Sequence, residues 1–262
     1  MEDLSHYNPE GSVLRRAQMR MLEMLDTFVD ICDRHNINYW LACGTLLGAR
    51  RHEGFIPWDD DMDIVVLQKD YNKLLSILQK ELPEKFKLQA RGIDKDYWNY
   101  YARIRDTKSV IHQKKPRNIE YKGIYTGIFI DILPIEPIPS YQLKKKIDTF
   151  LYREIYYKQS KSIKNAARKA VLPIIRFLIL LMRTYYKYIA STKLYTYAYG
   201  VFFYATYNIE NFYPVSKILF EGKKYKAPGN VDKYLIENFN HDFMVIPKPA
   251  DRQVHALKID FF

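Results

Sequence analysis

Only two cysteines, Cys32 and Cys43, occur in 262 residues. That excludes a disulfide framework and suits a reducing cytosol, with the first cysteine in an expected helix and the second in an expected strand. The stretch Met1-Glu2-Asp3-Leu4 has neither a basic n-region nor an apolar h-region, so export is not expected. The apolar run 171–182 is shorter than the roughly 20 residues of a spanning helix, and Arg176 and Arg183 punctuate it. Internal repeats and low-complexity linkers are missing too. A chain of this length can bury one sizeable core plus an appendage.

Net charge is abundant but confined. Residues 140–200 carry 13 Lys or Arg against Asp148 and Glu154, a net of +11 that equals the charge of the whole chain. A uniformly basic protein would suggest nucleic acid; a neutral body with one basic segment suggests an anionic surface met by one face. The expectation is peripheral contact with anionic lipid at the inner face of the membrane through an interfacial helix, and no nucleic acid. Tyr185, Tyr186 and Tyr188 would stand at headgroup level, and Lys144, Lys145, Lys146, Lys161 and Lys164 would meet the lipid charge. A core helix with snorkelling basic flanks is the competing reading.

The densest signal is Gly44-Thr45-Leu46-Leu47-Gly48, then Arg51-His52-Glu53-Gly54-Phe55-Ile56-Pro57-Trp58, then Asp59-Asp60-Asp61-Met62-Asp63-Ile64-Val65-Val66. It reads as a phosphate-handling turn feeding a buried strand over 62–67 with carboxylates at its entry. Strand alternation would put Asp59, Asp61 and Asp63 on one face if the strand begins that early, and a divalent cation would neutralise their repulsion. A solvated turn is the bland alternative, but the apolar run pulls the aspartates inward. An EF-hand fails because Ile64 replaces the turn glycine and Asp70 the terminal glutamate. A glycosyltransferase-type Asp-x-Asp survives, with the Gly-Thr turn arguing against it.

Periodicity predicts an amphipathic helix from Leu14 to Cys32 and strands over 39–43 and 62–67. A helix over 70–82 follows, then strands over 86–90, 97–105 and 124–133. Pro134, Pro137 and Pro139 are expected to stop the sheet. Residues 141–207 read as mainly helical, followed by a hairpin over 220–228 and a helix over Val231–Phe239.

The string GTLLGARRHEGFIPWDDDMDI closely resembles the LicD family of phosphocholine transferases, whose core the fukutin-related proteins share. Gly127 to Pro134 is similar to that family's third-carboxylate strand. Tyr234-Leu235 through Pro247 to His255 resembles its C-terminal motif, although Asn238-Phe239-Asn240-His241-Asp242 stands where the family carries Tyr-Gly-Asp. The resemblance implies an α/β nucleotidyltransferase-like mixed sheet with helices over 1–139, a basic, mainly helical insertion over 140–210, and a C-terminal region over 211–262 that packs back on the core.

On that reading Asp61, Asp63 and Asp131 are the catalytic carboxylates and hold Mg²⁺ or Mn²⁺, which suits hard oxygen ligands. Gly44 and Thr45 present N–H and hydroxyl groups to a phosphate, Arg51 supplies a planar cation, His52 can donate to the leaving phosphate, and Arg103 is a further phosphate candidate. Arg103 and Arg105 share a strand face, and a solvated edge explains them equally well. Asp59, Trp58, Arg252 and His255 complete the candidate set. Trp58, Trp98, Tyr100 and Tyr101 could wall a quaternary ammonium, though a core or surface role is the simpler explanation for any one of them. The implied activity moves phosphocholine, or ribitol or glycerol phosphate, from a CDP-linked donor to a hydroxyl of lipopolysaccharide, a teichoic acid precursor or a lipid-linked glycan. Nucleotidyl transfer and an inactive membrane-surface scaffold are the alternatives.

Overall fold

The computed structural model describes residues 2–95, 97–113, 125–159 and 163–262, except for the side chains of 152–159 and 163–169. Ile124, at the start of one expected strand, and the side chains of Lys161 and Lys164 lie outside the described residues.

The expected first helix forms as α1 (Val13–Arg34), with the Ser12 hydroxyl accepting from Arg15 N at 3.2 Å. Met21, Leu25, Phe28 and Cys32 recur at helical spacing and are buried. After β1 (Tyr39–Leu41) the chain turns into α2 (Cys43–His52), so residues 43 and 44 open a helix and do not end a strand. The next elements are β2 (Asp63–Leu67), α3 (Gln68–Glu81), β3 (Phe86–Gln89), β4 (Ala102–Asp106), β5 (Ser109–Gln113) and β6 (Phe129–Pro137). Helices α4 (Tyr141–Gln159) and α5 (Ile163–Tyr188) precede β7 (Leu194–Tyr197) and β8 (Thr206–Asn208). A hairpin of β9 (Ser216–Phe220) and β10 (Lys223–Ala227), α6 (Val231–Phe239) and β11 (Ala256–Phe261) complete the chain.

The mixed sheet runs β1-β2-β6-β4-β3, with β7 added to β6 and β8 to β7. Strands β2 and β6 are parallel, and their register sets Asp63 opposite Asp131. Ile64, Val65, Val66, Ile130, Ile132 and Leu133 are fully buried, as expected for central strands covered on both faces.

The prolines do not stop this sheet. Strand β6 continues to Pro137, with Ile135 paired to Tyr197 and Pro137 to Tyr195. Strand β4 has already ended opposite Ile132, and the Pro134 carbonyl accepts from Ala198 N at 2.8 Å, so a residue without an N–H is tolerated there.

A second, smaller cluster joins Leu151 of α4 and Leu172 and Ile179 of α5 to Ile138 and Tyr199. Two ion pairs anchor it. Arg183 grips buried Glu136 through Nε and Nη2, and Lys144 is fully buried, paired with Asp148 and donating to Val201 O at 2.8 Å. Lys144 therefore belongs to the interior and does not face an anionic surface. Replacing it with Met leaves the Asp148 carboxylate without its cation, and should destabilise the fold by roughly 3 kcal/mol or more. Urea denaturation checks this, and an unchanged midpoint would contradict the buried pairing.

Candidate active site

Three chain segments converge where β2 and β6 begin. The first is the start of α2. Its N-terminal turn has no side-chain cap among the described residues, so its first N–H groups and the positive end of the helix dipole are left without a capping side chain. A Cβ on Gly44 would stand 2.8 Å from Asp59 Oδ2, so the missing side chain admits the Asp59 carboxylate. Thr45 Oγ1 accepts from Asp63 N at 2.9 Å and fixes the entry of β2. Gly48 is required by close approach too: a Cβ there would meet Gly54 O at 2.5 Å and Ile56 N at 2.9 Å.

The second segment is the aspartate loop. Strand β2 starts only at Asp63, so a loop, not strand alternation, brings Asp59 and Asp61 to the same place. Burial, then repulsion from Asp61 and Asp131, pushes the Asp63 carboxyl well above the usual carboxylate range. Burial followed by Asp61 and Asp63 does the same to Asp59. Asp61 is raised by burial, against the opposing pull of His255, whose Nε2 lies 3.6 Å from Asp61 Oδ2. Asp131, across the ladder from Asp63, is gripped by Arg103, with Nε 2.6 Å from Oδ1 and Nη2 3.2 Å from Oδ2. Arg103 also lies over the Phe129 ring at 3.9 Å.

The third segment is the C-terminal return. Buried Asp60 accepts from the backbone N–H groups of His255 and Ala256, and this holds His255 beside Asp61. Residues 249–251 form a single 3-10 turn and Arg252 is extended, so Arg252 and His255 do not share a helix face. The Arg252 guanidinium lies 4.7 Å from the Trp58 ring centroid and donates to Tyr7 Oη at 2.6 Å and Pro247 O at 3.0 Å. One face of Trp58 is thereby covered.

The remaining candidates are engaged locally. Arg51 donates to Phe243 O, Val245 O and His52 Nε2 at 3.1, 3.2 and 3.0 Å, tying the loop after α6 to α2. Burial, with Arg51 adding repulsion, pushes the His52 imidazolium down to about 4, so this ring is neutral near pH 7 and only Nδ1 is left to donate. Arg105, buried, donates to Gln89 Oε1 and Gly127 O and is a structural residue. Tyr100 carries the Arg91 guanidinium at 4.2 Å, and Tyr101 packs against Tyr97 and Arg103.

Sequence reasoning missed Asp60 and Cys43. Asp60 sits in the aspartate run without a distinguishing neighbour, and its partners are 195 residues away. Cys43 has its thiol 3.0 Å from Tyr197 Oη and hydrogen-bonded to Asp63; burial raises its pKa, so it remains a thiol and not a nucleophile.

Among the described residues no three His, Cys, Asp or Glu groups stand converged as a metal ion would need. The chemistry of the donor set nonetheless fits a hard dication. All the donors are carboxylate oxygens, their charges repel in a half-buried place, and Asp61 and Asp63 are not neutralised by an arginine as Asp131 is.

The fold is thus a mixed α/β sheet with adjacent carboxylates on parallel strands, beside an uncapped helix N-terminus. Residues 36–173 match the family described as LicD/FKTN/FKRP, nucleotidyltransferase domain, and the chain belongs to that family. It is 35% identical over 163 residues, 61% of its length, to the lipopolysaccharide cholinephosphotransferase LicD of Haemophilus influenzae, of which 60% is covered. An uncharacterized protein of Rickettsia prowazekii is 49% identical over 132 residues, 49% of this chain and 44% of that one. The ribitol 5-phosphate transferase FKRP of Homo sapiens is 43% identical over 42 residues, 16% of this chain and 8% of its own. The chain thus spans well under two thirds of the length of each of these relatives.

Asp60→Ala should free the 255–256 backbone. Amide exchange at His255 and Ala256 is expected to rise by about tenfold or more, with a stability loss of roughly 1 kcal/mol, since two part-buried N–H groups lose their acceptor. Unchanged protection there would show that the strand pairing of β11 alone holds the segment.

Proposed function

We propose that this protein transfers a substituted phosphate, phosphocholine in the first instance, from a CDP-linked donor to a hydroxyl of a cell-surface glycan or its lipid-linked precursor. The observation that carries the reading is the pairing of Asp63 with Asp131 across β2 and β6, within the segment matched to the family. Similarity to a lipopolysaccharide cholinephosphotransferase supports the choice of head group and acceptor class.

Each part has a role in that reaction. The N–H groups at the start of α2 receive the donor's phosphate oxygens, as helix N-termini do for anions. Asp61 and Asp63 would hold Mg²⁺ or Mn²⁺, which when bound offsets phosphate charge and polarises the phosphorus centre. Asp131, oriented by the two hydrogen bonds from Arg103, accepts the proton of the attacking hydroxyl. The acceptor oxygen bonds to the phosphorus that bears the head group, the bridging P–O bond breaks, and CMP leaves. His255, held by Asp60, stands where a leaving or entering phosphate meets Asp61.

Arg252 covers one face of Trp58, so that face is not open to a quaternary ammonium. Similarity to a ribitol 5-phosphate transferase makes CDP-ribitol the second donor to test.

Purified protein incubated with CDP-choline, CDP-ribitol or CDP-glycerol, Mg²⁺ or Mn²⁺ and a glycan acceptor should release CMP with one donor strongly preferred. Asp61→Asn and Asp63→Asn should each lower that rate about a thousandfold or more while leaving the melting temperature within a few degrees. Full turnover in EDTA would contradict the metal assignment, and a nucleotide left on the acceptor would mean nucleotidyl transfer instead.

A further inference from the structure

Helix α5 is apolar on two sides, and the interior accounts for only one of them. Leu172, Ile175, Ile179 and Met182, spaced three and four apart, pack onto Ile138, Leu151 and Tyr199. Leu172 and Ile179 are each 6% exposed. A second stripe at the same spacing, Ile174, Phe177, Leu178, Leu181, Tyr185 and Tyr188, is turned out; Ile174 is 58% exposed and Phe177 59%. A helix against a core normally presents charge on its outer side. Here the outer side is apolar over four turns, more than the scattered exposed apolar residues of an ordinary surface.

The surroundings identify the occupant. Residues 140–200 carry a net +11, the whole charge of the chain. Lys144 and Arg183 are paired in the interior, and Lys193 pairs with Glu210 at the surface. Lys145 and Lys146 of α4 and Lys187 of α5 are exposed. Docking two copies through this face would bring two such segments together and be opposed by their repulsion, whereas an anionic lipid surface satisfies both the apolar stripe and the charge. Among the described residues no helix is long and apolar enough to cross a membrane, so the helix would lie in the interface plane.

We propose that the outer face of α5, from Ile174 to Tyr188, docks on an anionic lipid surface, with its apolar side chains inserted at the acyl boundary and the lysines of α4 and α5 against the headgroups. This inference does not depend on which phosphate group is transferred.

Co-sedimentation of the full chain with phosphatidylcholine vesicles, with and without about 30% phosphatidylglycerol, tests it without any donor or metal. Binding should require the anionic lipid and fall by about tenfold or more between roughly 50 and 500 mM NaCl. Phe177→Ser with Leu178→Ser and Leu181→Ser should weaken binding about tenfold or more. Lys145→Gln with Lys146→Gln and Lys187→Gln should weaken it by up to about a hundredfold, near fivefold per lysine, and flatten the salt response. Circular dichroism should match the parent chain because all six positions are exposed; should the apolar variant lose its fold, the lysine variant still decides. Equal binding to both vesicles, or to neither, overturns the proposal. So does a dimer in sedimentation equilibrium that the apolar variant abolishes, which would make this face a contact between copies.

Discussion

Carboxylate repulsion is the constraint on which the rest of the site depends. Asp59, Asp61, Asp63 and Asp131 meet in a half-buried place where Asp61 and Asp131 raise the cost of ionising Asp63, Asp61 and Asp63 that of Asp59, and Asp131 that of Asp61; the chain answers from three directions. Arg103 neutralises Asp131 through two hydrogen bonds, Thr45 of α2 takes the Asp63 N–H while Gly44 leaves room for the Asp59 carboxylate, and His255 stands beside Asp61. These partners come from β4, from the helix before β2 and from the C-terminal return. The site exists only when the whole sheet and the last dozen residues are folded together, and its residual negative charge is what fits a dication.

The same geometry explains the two glycines of the motif. Gly44 and Gly48 read in sequence as turn residues, yet both lie in α2, where Gly48 is needed because backbone passes too close for a Cβ and Gly44 leaves room for the Asp59 carboxylate. Local propensity disfavours glycine in a helix by about 1 kcal/mol, so the helical outcome reflects tertiary packing of Leu46, Leu47 and Ala49. Arg51 and Arg252 show the reverse. Their sequence context suggested ligand contacts, whereas they fasten the loop after α6 and the indole of Trp58.

What was legible followed apolar periodicity. Helix α1, strand β2 and α6 could be read from spacing, because each buries a simple stripe or alternates across a sheet, whereas the hairpin expected over 220–228 begins earlier, at Ser216. Long-range partners were not legible. The run of β6 past Pro134 depends on β4 having ended there and β7 arriving from 60 residues away, and Asp60's contact with residues 255 and 256 has no local signature. Family resemblance supplied the carboxylate set; the electrostatic relation among its members came from the register of β2 on β6.

Calorimetric titration of the protein with Mn²⁺ in two buffers of different ionisation enthalpy tests this account most directly. Burial and mutual repulsion raise the Asp59, Asp61 and Asp63 carboxyls, so protons compete with a dication for this site. Binding should release protons, tighten as pH rises, and be lost in Asp63→Asn. Binding without proton release, or binding that survives Asp63→Asn unchanged, would show that these carboxylates are not the cation's seat.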